Sequence, residues 1–201
     1  MIISIAPPPA ITKLKSYIKW VEHHNLDWKI LTEDDNKIEG ALLLCGGADV
    51  GTVPDRDKFE KSLIDQALEN DLPILGICRG MQIVNWHLGG IVEDVWNEGF
   101  HAISEGFAGD DSRNLESNYH LITSKTDAME FEVNSRHHQH CSILATELSP
   151  LLWAEDETIE CAIGRKIMLV QWHPEREEIW DNHWASEWPI GWIKTKIKSN
   201  I

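Results

Sequence analysis

One cysteine occupies a position suited to nucleophilic chemistry. Cys78 follows an apolar run, residues 73–77, that predicts a short buried strand, and it precedes a run with helical spacing. Glycines lie two positions away on each side, at Gly76 and Gly80, as a sharp strand-to-helix turn requires beside a nucleophile. The free N–H groups at the start of the helix favour the thiolate. An inert buried thiol is the alternative for an isolated cysteine, and the flanking glycines argue against it.

A histidine and a glutamate near the C-terminal end supply the groups that such a cysteine needs. Residues 168–172 predict a buried strand that ends at His173, and Pro174 holds His173 in an extended conformation. Because residues i and i+2 of an extended chain point to the same side, Glu175 can hydrogen-bond the His173 ring. A histidine oriented by a carboxylate activates a cysteine nucleophile. The pattern predicts a Cys78–His173–Glu175 triad, although His-Pro-Glu by itself also fits a surface turn.

Alternating strands and helices must position these residues. Apolar runs and amphipathic spacing in the first half predict strands at 2–5, 28–31 and 41–45 and helices at 10–24 and 57–70. Short strands follow at 142–146, 151–154, 159–164 and 167–171, and their close spacing is typical of hairpins. The pattern predicts an α/β fold whose C-terminal half is partly antiparallel.

Length, charge and cysteine usage narrow the class of protein. The 201 residues fit one domain, residues 1–201, with a proper core. A formal net charge of −15 argues against nucleic-acid or anionic-membrane partners. The four cysteines form no C-x-x-C pair, which predicts a reduced, cytoplasmic protein. The chain's first residues are too short and uncharged for a signal peptide, and no apolar run has membrane-spanning length.

Four motifs, in order along the chain, resemble one family. They are G-G-A-D-V at residues 46–50, G-I-C-R-G-M-Q at 76–82, V-N-S-R-H-H-Q at 133–139 and H-P-E at 173–175. Together they resemble the class I glutamine amidotransferases, and most closely their γ-glutamyl hydrolase branch, which includes γ-glutamyl-GABA hydrolases (peptidase family C26). The resemblance covers residues 42–175, and Glu93 departs from the glutamine usual in the family.

The resemblance implies a fold and further site residues. It implies a flavodoxin-like domain with a central, mostly parallel sheet flanked by helices. Backbone N–H groups of Gly47 and Arg79 would form the oxyanion hole. Gln82, His137 and His138 would bind the glutamyl group of the substrate.

Two other segments allow more than one interpretation. Arg56, Asp57 and Glu60 match the family pattern R-D-x-x-E on a helix that lines the substrate cleft, but an exposed charged first turn explains them equally well. The tail tryptophans recur every four residues, interrupted by Pro189, and fit an aromatic seal on the domain better than a stacking surface for a ligand. They are Trp180, Trp184, Trp188 and Trp192. Residues 98–118 predict a long polar loop.

The site predicts neither a metal nor another cofactor. The histidines at 137, 138 and 140 are not spaced as a helical ligand pair, and no cysteine lies at zinc-finger distance. Cysteine chemistry needs only the base that His173 provides.

The sequence therefore predicts a cysteine hydrolase that cleaves the γ-glutamyl amide bond of a small conjugate through a thioester. The amine half of that substrate stays open between GABA, a polyamine and a nucleotide-linked amidate. One alternative is a glutaminase subunit that delivers ammonia to a synthase partner, and another is a non-catalytic binding module. The intact triad argues against the binding module, whereas a homodimer or a synthase partner both remain open.

Overall fold

The computed structural model describes residues 1–95, 101, 118–126 and 129–198. The strands are β1 (Ile2–Ala6), β2 (Asp27–Ile30), β3 (Ala41–Leu44), β4 (Ile74–Ile77), β5 (Ile91–Asp94), β6 (Asn118–Thr123), β7 (Glu130–Ser135), β8 (Gln139–Ile143), β9 (Ser149–Ala154), β10 (Ile159–Gly164) and β11 (Ile167–Val170). The helices are α1 (Ile11–His23), α2 (Pro54–Glu69), α3 (Arg79–His87) and α4 (Trp188–Lys198). A 3-10 turn (Glu177–Ile179) and a π-helical turn (His183–Glu187) precede α4.

A nine-stranded sheet in the order β2-β1-β3-β4-β11-β10-β9-β6-β7 organises the molecule. The first five strands are parallel, whereas β10, β9, β6 and β7 pair antiparallel with their neighbours. Strands β5 and β8 form a separate antiparallel pair. The predicted α/β fold with a partly antiparallel C-terminal half is confirmed. Because the carboxyl ends of parallel strands share one edge, the segments that follow β3, β4 and β11 meet there.

The continuous apolar strands are buried on both faces, as is typical of a parallel sheet covered by helices. Leu43 of β3 lies in the core with α1 and α4, whereas its neighbours Leu42 and Leu44 lie in the core with α2 and α3. This alternation follows from the two-residue period of a strand. The helices therefore fix both faces of the sheet, and its carboxyl edge carries the candidate site.

The observed elements differ from the predicted ones mainly at their ends. Helix α2 begins at Pro54 rather than at residue 57, because proline in the first turn needs no hydrogen-bond acceptor for its nitrogen. Pro189 occupies the same kind of position in the first turn of α4 and does not interrupt a helix. The predicted loop 98–118 lies outside the described residues except at its end and at His101. Each helix within the described ranges is too short or too polar to cross a membrane.

The tail tryptophans mostly seal the sheet face that α1 and α4 cover. Trp180, Trp188 and Trp192 are partly buried and pack against that core, in agreement with the predicted aromatic seal. Trp184 is 43% exposed and stacks on Phe131, with ring centroids 6.3 Å apart. The four residues share one face of the domain without belonging to one continuous helix.

Candidate active site

Cys78 lies in a sharp turn between β4 and α3. Its φ of 52° and ψ of −109° are unusual for a residue with a side chain and cost on the order of 1–3 kcal/mol. The flanking glycines are required by contact distances. A Cβ at Gly80 would lie 2.2 Å from the Leu44 carbonyl oxygen, and one at Gly76 would lie 2.6 Å from the Gly80 oxygen. The chain can therefore make this turn against β3 only with glycine at both positions.

The His173 ring lies between the Cys78 thiol and the Glu175 carboxylate. His173 Nδ1 is 2.8 Å from Glu175 Oε1, and Cys78 lies close enough to the ring to raise its pKa. Asn134 fixes the backbone of His173, because its side-chain oxygen accepts from the His173 N–H at 2.9 Å and its amide donates to the His173 carbonyl at 3.2 Å. The three predicted triad residues are thus brought together at the carboxyl ends of β4 and β11.

Charges in this group keep the imidazole protonated to high pH. Burial lowers the pKa of His173, but the Glu175 carboxylate and Cys78 outweigh burial and raise it to about 9. Burial raises the pKa of Glu175, and the neighbouring His173 reverses this effect and holds it below its usual value. An ionised Glu175 beside a protonated His173 is the arrangement that stabilises a nearby thiolate.

The loop after β3 lies against the same cysteine. A Cβ at Gly46 would be 3.1 Å from His173 Cε1 and 3.6 Å from Cys78 Cβ. The Gly46 N–H donates to the Tyr17 hydroxyl at 2.8 Å, and Arg56 Nη2 donates to the Gly46 carbonyl at 3.1 Å. Because the N–H of a trans peptide points opposite to its carbonyl, the Gly47 N–H points away from Arg56. The Gly47 N–H is therefore not used by the groups that hold the loop.

A buried charge network ties this loop to the turn at Cys78. The Arg79 side chain pairs with Asp57 and Glu60, and Arg56 Nε donates to Glu60 at 2.8 Å. Arg56 Nη2 also donates to the Cys45 carbonyl at 3.1 Å. An exposed first turn of α2 is therefore the wrong interpretation for Asp57 and Glu60, which are 5% and 1% exposed. Their charges hold the two loops in fixed positions.

Because of this network, we expect Glu60→Gln to lower the free energy of unfolding substantially. Neutralising Glu60 leaves two buried guanidinium groups with one carboxylate fewer, which typically costs about 3–5 kcal/mol. Asp65→Asn is the matched control on the same helix, because Asp65 pairs with His87 at an exposed position and such pairs contribute about 0–1 kcal/mol. Urea unfolding of the two variants measures both losses, and equal small losses would contradict a structural role for Glu60.

The predicted substrate residues have different surroundings. Gln82 Nε2 donates to the Gln139 carbonyl at 2.9 Å and lies 3.4 Å from Gln171 Oε1. His138 is partly exposed, with its Nε2 2.8 Å from Asp49 Oδ2 of the loop after β3. His137 is 3% exposed and faces inward. The two adjacent histidines therefore point to different parts of the molecule, since one contacts the loop after β3 and the other is in the core.

A second cluster of titratable groups lies behind that turn. Glu160 is fully buried, and its Oε1 lies 3.2 Å from His137 Nε2, 3.4 Å from His120 Nε2 and 3.7 Å from His101 Nδ1. His101 Nε2 lies 2.8 Å from Asp156 Oδ2. Single atoms of His101, His120 and Glu160 fall within 4.8 Å of one another, the separation expected of metal ligands. The cluster joins β6, β10 and the turn after β7.

Sequence patterns missed several of these residues. Tyr17 is one of the few aromatic residues of an amphipathic helix, and nothing in its spacing indicates a contact with Gly46. Asn134 lies inside the motif V-N-S-R-H-H-Q, which is the available signal. The approach of His101 and His120 to Glu160 depends on segments far apart in the chain.

The family follows from comparison of the chain with known proteins. The family model of Peptidase C26 matches residues 40–175, a range that includes Cys78, His173 and Glu175. The chain belongs to the Peptidase C26 family. The expected likeness to class I glutamine amidotransferases and their hydrolase branch is confirmed.

Relatives of this family member support the same placement. A glutamine amidotransferase-like protein of Lactococcus lactis is 30% identical over 67% of the chain and 65% of its own length. The gamma-glutamyl-CDP-amidate hydrolase of Campylobacter jejuni is 30% identical over 68% of the chain and 62% of its own length. The chain therefore spans slightly less than two thirds of these relatives. A glutamine amidotransferase from Thermotoga maritima has the same fold, with a TM-score of 0.66 at 17% identity over 97% of this chain and 89% of its own.

Proposed function

We propose that this Peptidase C26 member hydrolyses the γ-glutamyl amide bond of a small conjugate by cysteine catalysis. The observation that carries the proposal is the Cys78–His173–Glu175 arrangement, in which the His173 ring is 2.8 Å from a carboxylate and lies beside Cys78 at Gly46. The family membership and the hydrolase among the relatives support the same class of reaction.

The first chemical step forms a thioester. The Cys78 thiolate attacks the γ-carbonyl carbon, and the carbonyl oxygen becomes an oxyanion. The Gly47 N–H points away from Arg56, and Arg79 is the first residue of α3, where N–H groups have no acceptor within the helix. These two N–H groups are the proposed oxyanion donors, each of which contributes about 3–4 kcal/mol in comparable acyl-transfer enzymes.

The second step breaks the carbon–nitrogen bond, and a third step hydrolyses the thioester and regenerates the free enzyme. His173 gives its proton to the leaving amine as the oxyanion collapses. Water then attacks the thioester carbon while His173 accepts a proton from it, and the carbon–sulfur bond breaks. The products are the amine, glutamate and free Cys78. Glu175 holds the ring through Nδ1, which leaves the other nitrogen for these transfers.

Polar groups at the cleft would bind the α-carboxylate and α-amine of the glutamyl half. His138 and Asp49 are both partly exposed and link the turn after β7 with the loop after β3. We assign direct contact with substrate to His138 and Gln82, and we assign His137 to the support of the same turn because its ring contacts buried Glu160. The amine half would lie beyond the scissile bond, and the Campylobacter jejuni hydrolase makes a nucleotide-linked amidate one candidate.

A glutaminase subunit that delivers ammonia to a synthase is the second candidate. It would use the same triad and the same glutamyl contacts, and it would differ in its dependence on a partner. Glutamine has only an NH₂ group beyond the scissile bond, so its binding energy comes from the glutamyl half alone. A free hydrolase can instead use contacts to the amine half to lower its barrier.

A substrate panel separates the two candidates. The purified chain, without added protein, is expected to show a higher kcat/KM for at least one γ-glutamyl amide than for glutamine. The panel should contain γ-glutamyl-GABA, γ-glutamyl polyamines and a γ-glutamyl nucleotide amidate, with the Cys78→Ala variant as the background control. If the chain cleaves only glutamine, and only after a synthase is supplied, the hydrolase hypothesis is rejected. The protein would then be a synthase-dependent glutaminase.

A further inference from the structure

The buried histidines around Glu160 have hydrogen-bond partners that fix which nitrogen carries the proton. His101 Nε2 lies 2.8 Å from Asp156 Oδ2, so this nitrogen donates to a carboxylate and Nδ1 carries the lone pair. His137 Nδ1 lies 3.0 Å from the Gln139 carbonyl oxygen, so Nδ1 donates and Nε2 carries the lone pair. Each neutral ring therefore directs a lone pair toward Glu160 Oε1.

A lone pair that faces a carboxylate oxygen is unfavourable unless a positive charge lies between them. Either a proton on a facing nitrogen or a metal ion between the groups supplies that charge. Neutral imidazole and ionised carboxylate are the protonation states in which these groups bind metals.

The distances in the cluster also fit a metal better than direct hydrogen bonds. Charge-assisted bonds between nitrogen and carboxylate oxygen are typically about 2.7–2.9 Å long. Here three histidine nitrogens lie 3.2, 3.4 and 3.7 Å from the same oxygen. Ligands at about 2.0–2.1 Å from a tetrahedral zinc ion are separated by about 3.4 Å. The 3.4 Å distance between His120 Nε2 and Glu160 Oε1 is that of neighbouring ligands around one ion.

The second oxygen of Glu160 and the hydrogen bond on the far side of the His101 ring also fit a metal site. Within the described residues, buried Glu160 Oε2 has no hydrogen-bond partner, and this side chain is fully enclosed. Metal-binding histidines usually donate their second nitrogen to a carboxylate or a backbone carbonyl. The contact of His101 with Asp156 is of the first kind.

We propose that His101, His120 and Glu160 bind a zinc ion, with His137 beside the site through its contact with Glu160. The ion would fasten β6 and β10 to the turn that carries His138, and its charge would offset Glu160 and Asp156. It takes no part in the cysteine reaction. The ligands differ from the run 137, 138 and 140, since His138 contacts Asp49 on the far side of the turn and His137 reaches the site only through Glu160.

Metal content of the whole chain tests the site independently of activity. The purified protein is stripped with a chelator, incubated with Zn²⁺ or Co²⁺, and passed through a desalting column. We expect one retained ion per chain, the visible absorption of four-coordinate Co²⁺, and a higher melting temperature than that of the stripped protein. Retention of no zinc, together with NMR signals of a protonated imidazole at neutral pH, would overturn the proposal in favour of a hydrogen-bonded charge cluster.

Variants locate the ion. Glu160→Gln and His120→Asn should reduce retained zinc to background, and Asp156→Asn should weaken zinc affinity about 10–100-fold by releasing His101. His140→Asn is the matched control from the histidine run and should retain the full amount. Equal retention by His120→Asn and the control would reject the site even if Glu160→Gln does not fold. Cys78→Ala should bind zinc normally, which separates this proposal from the proposed hydrolase activity.

Discussion

Cys78→Ala should lower turnover of a γ-glutamyl amide by roughly 10⁴-fold or more while the fold is retained. The variant removes the atom that would form the thioester, and the remaining oxyanion donors provide only residual catalysis. Alanine also fits the space, because Cys78 is held by the turn and its side chain is small. Turnover, the melting temperature and the far-UV circular dichroism of the variant together measure this effect.

Selective labelling of Cys78 gives a second readout of the same prediction. Burial is the largest effect on the other three thiols and raises the pKa of Cys45, Cys141 and Cys161, so these thiols stay protonated at neutral pH. A glutamine-like electrophile should therefore modify Cys78 alone, as peptide mass spectrometry can establish. Cys141→Ala is the matched control and should retain both labelling and activity. Full activity in Cys78→Ala, with labelling at another cysteine, would reject the assignment of the nucleophile.

The features that sequence predicted well are local ones. A strand, a glycine, a cysteine, a glycine and a helix follow one another within ten residues, so the turn at Cys78 is determined by neighbouring residues and their contact distances. The pairing of His173 with Glu175 is also local, because two residues of extended chain place both side chains on the same side. The meeting of these two segments follows from parallel pairing of β4 and β11.

Features that depend on contacts between distant segments were harder to predict from the sequence. The charged first turn of α2 looks like a solvated surface in the sequence, and only the approach of Arg79 reveals a buried network. His137 and His138 are adjacent and chemically identical, yet the turn between β7 and β8 directs one toward Glu160 and the other toward Asp49. Helical spacing of the tail tryptophans was likewise misleading, because Trp180 follows a 3-10 turn and Trp184 lies in a π-helical turn, both before α4.

Glu175→Gln should lower kcat by about 10²–10⁴-fold, the second large effect expected. The amide can offer its NH₂ group to His173 Nδ1 and select the wrong tautomer of the ring. It also removes the largest influence that raises the pKa of His173, which burial would then lower from its value of about 9. The basic limb of the rate profile should therefore move to lower pH, because His173 must be protonated to release the amine.

The pH dependence of stability provides a readout that does not require turnover. The raised pKa of His173 contributes stability that is fully present below its ordinary value of 6.5 and is lost as pH rises through about 9. The lowered pKa of Glu175 contributes stability that is present above its ordinary value of 4.5 and is lost at lower pH. The stability difference between wild type and Glu175→Gln should therefore be largest near pH 4.5–6.5 and should shrink as pH rises through about 9.

A nearby exposed glutamate distinguishes this effect from a general loss of charge. Glu177 pairs with Lys19 on the surface, with 61% of its side chain exposed, so Glu177→Gln should change kcat and stability little at any pH. Thermal unfolding at several pH values and a pH–rate profile for both variants complete the comparison. If Glu175→Gln kept the wild-type kcat and the same basic limb, the ring of His173 would not depend on Glu175, and the proposed triad would be reduced to a Cys78–His173 pair.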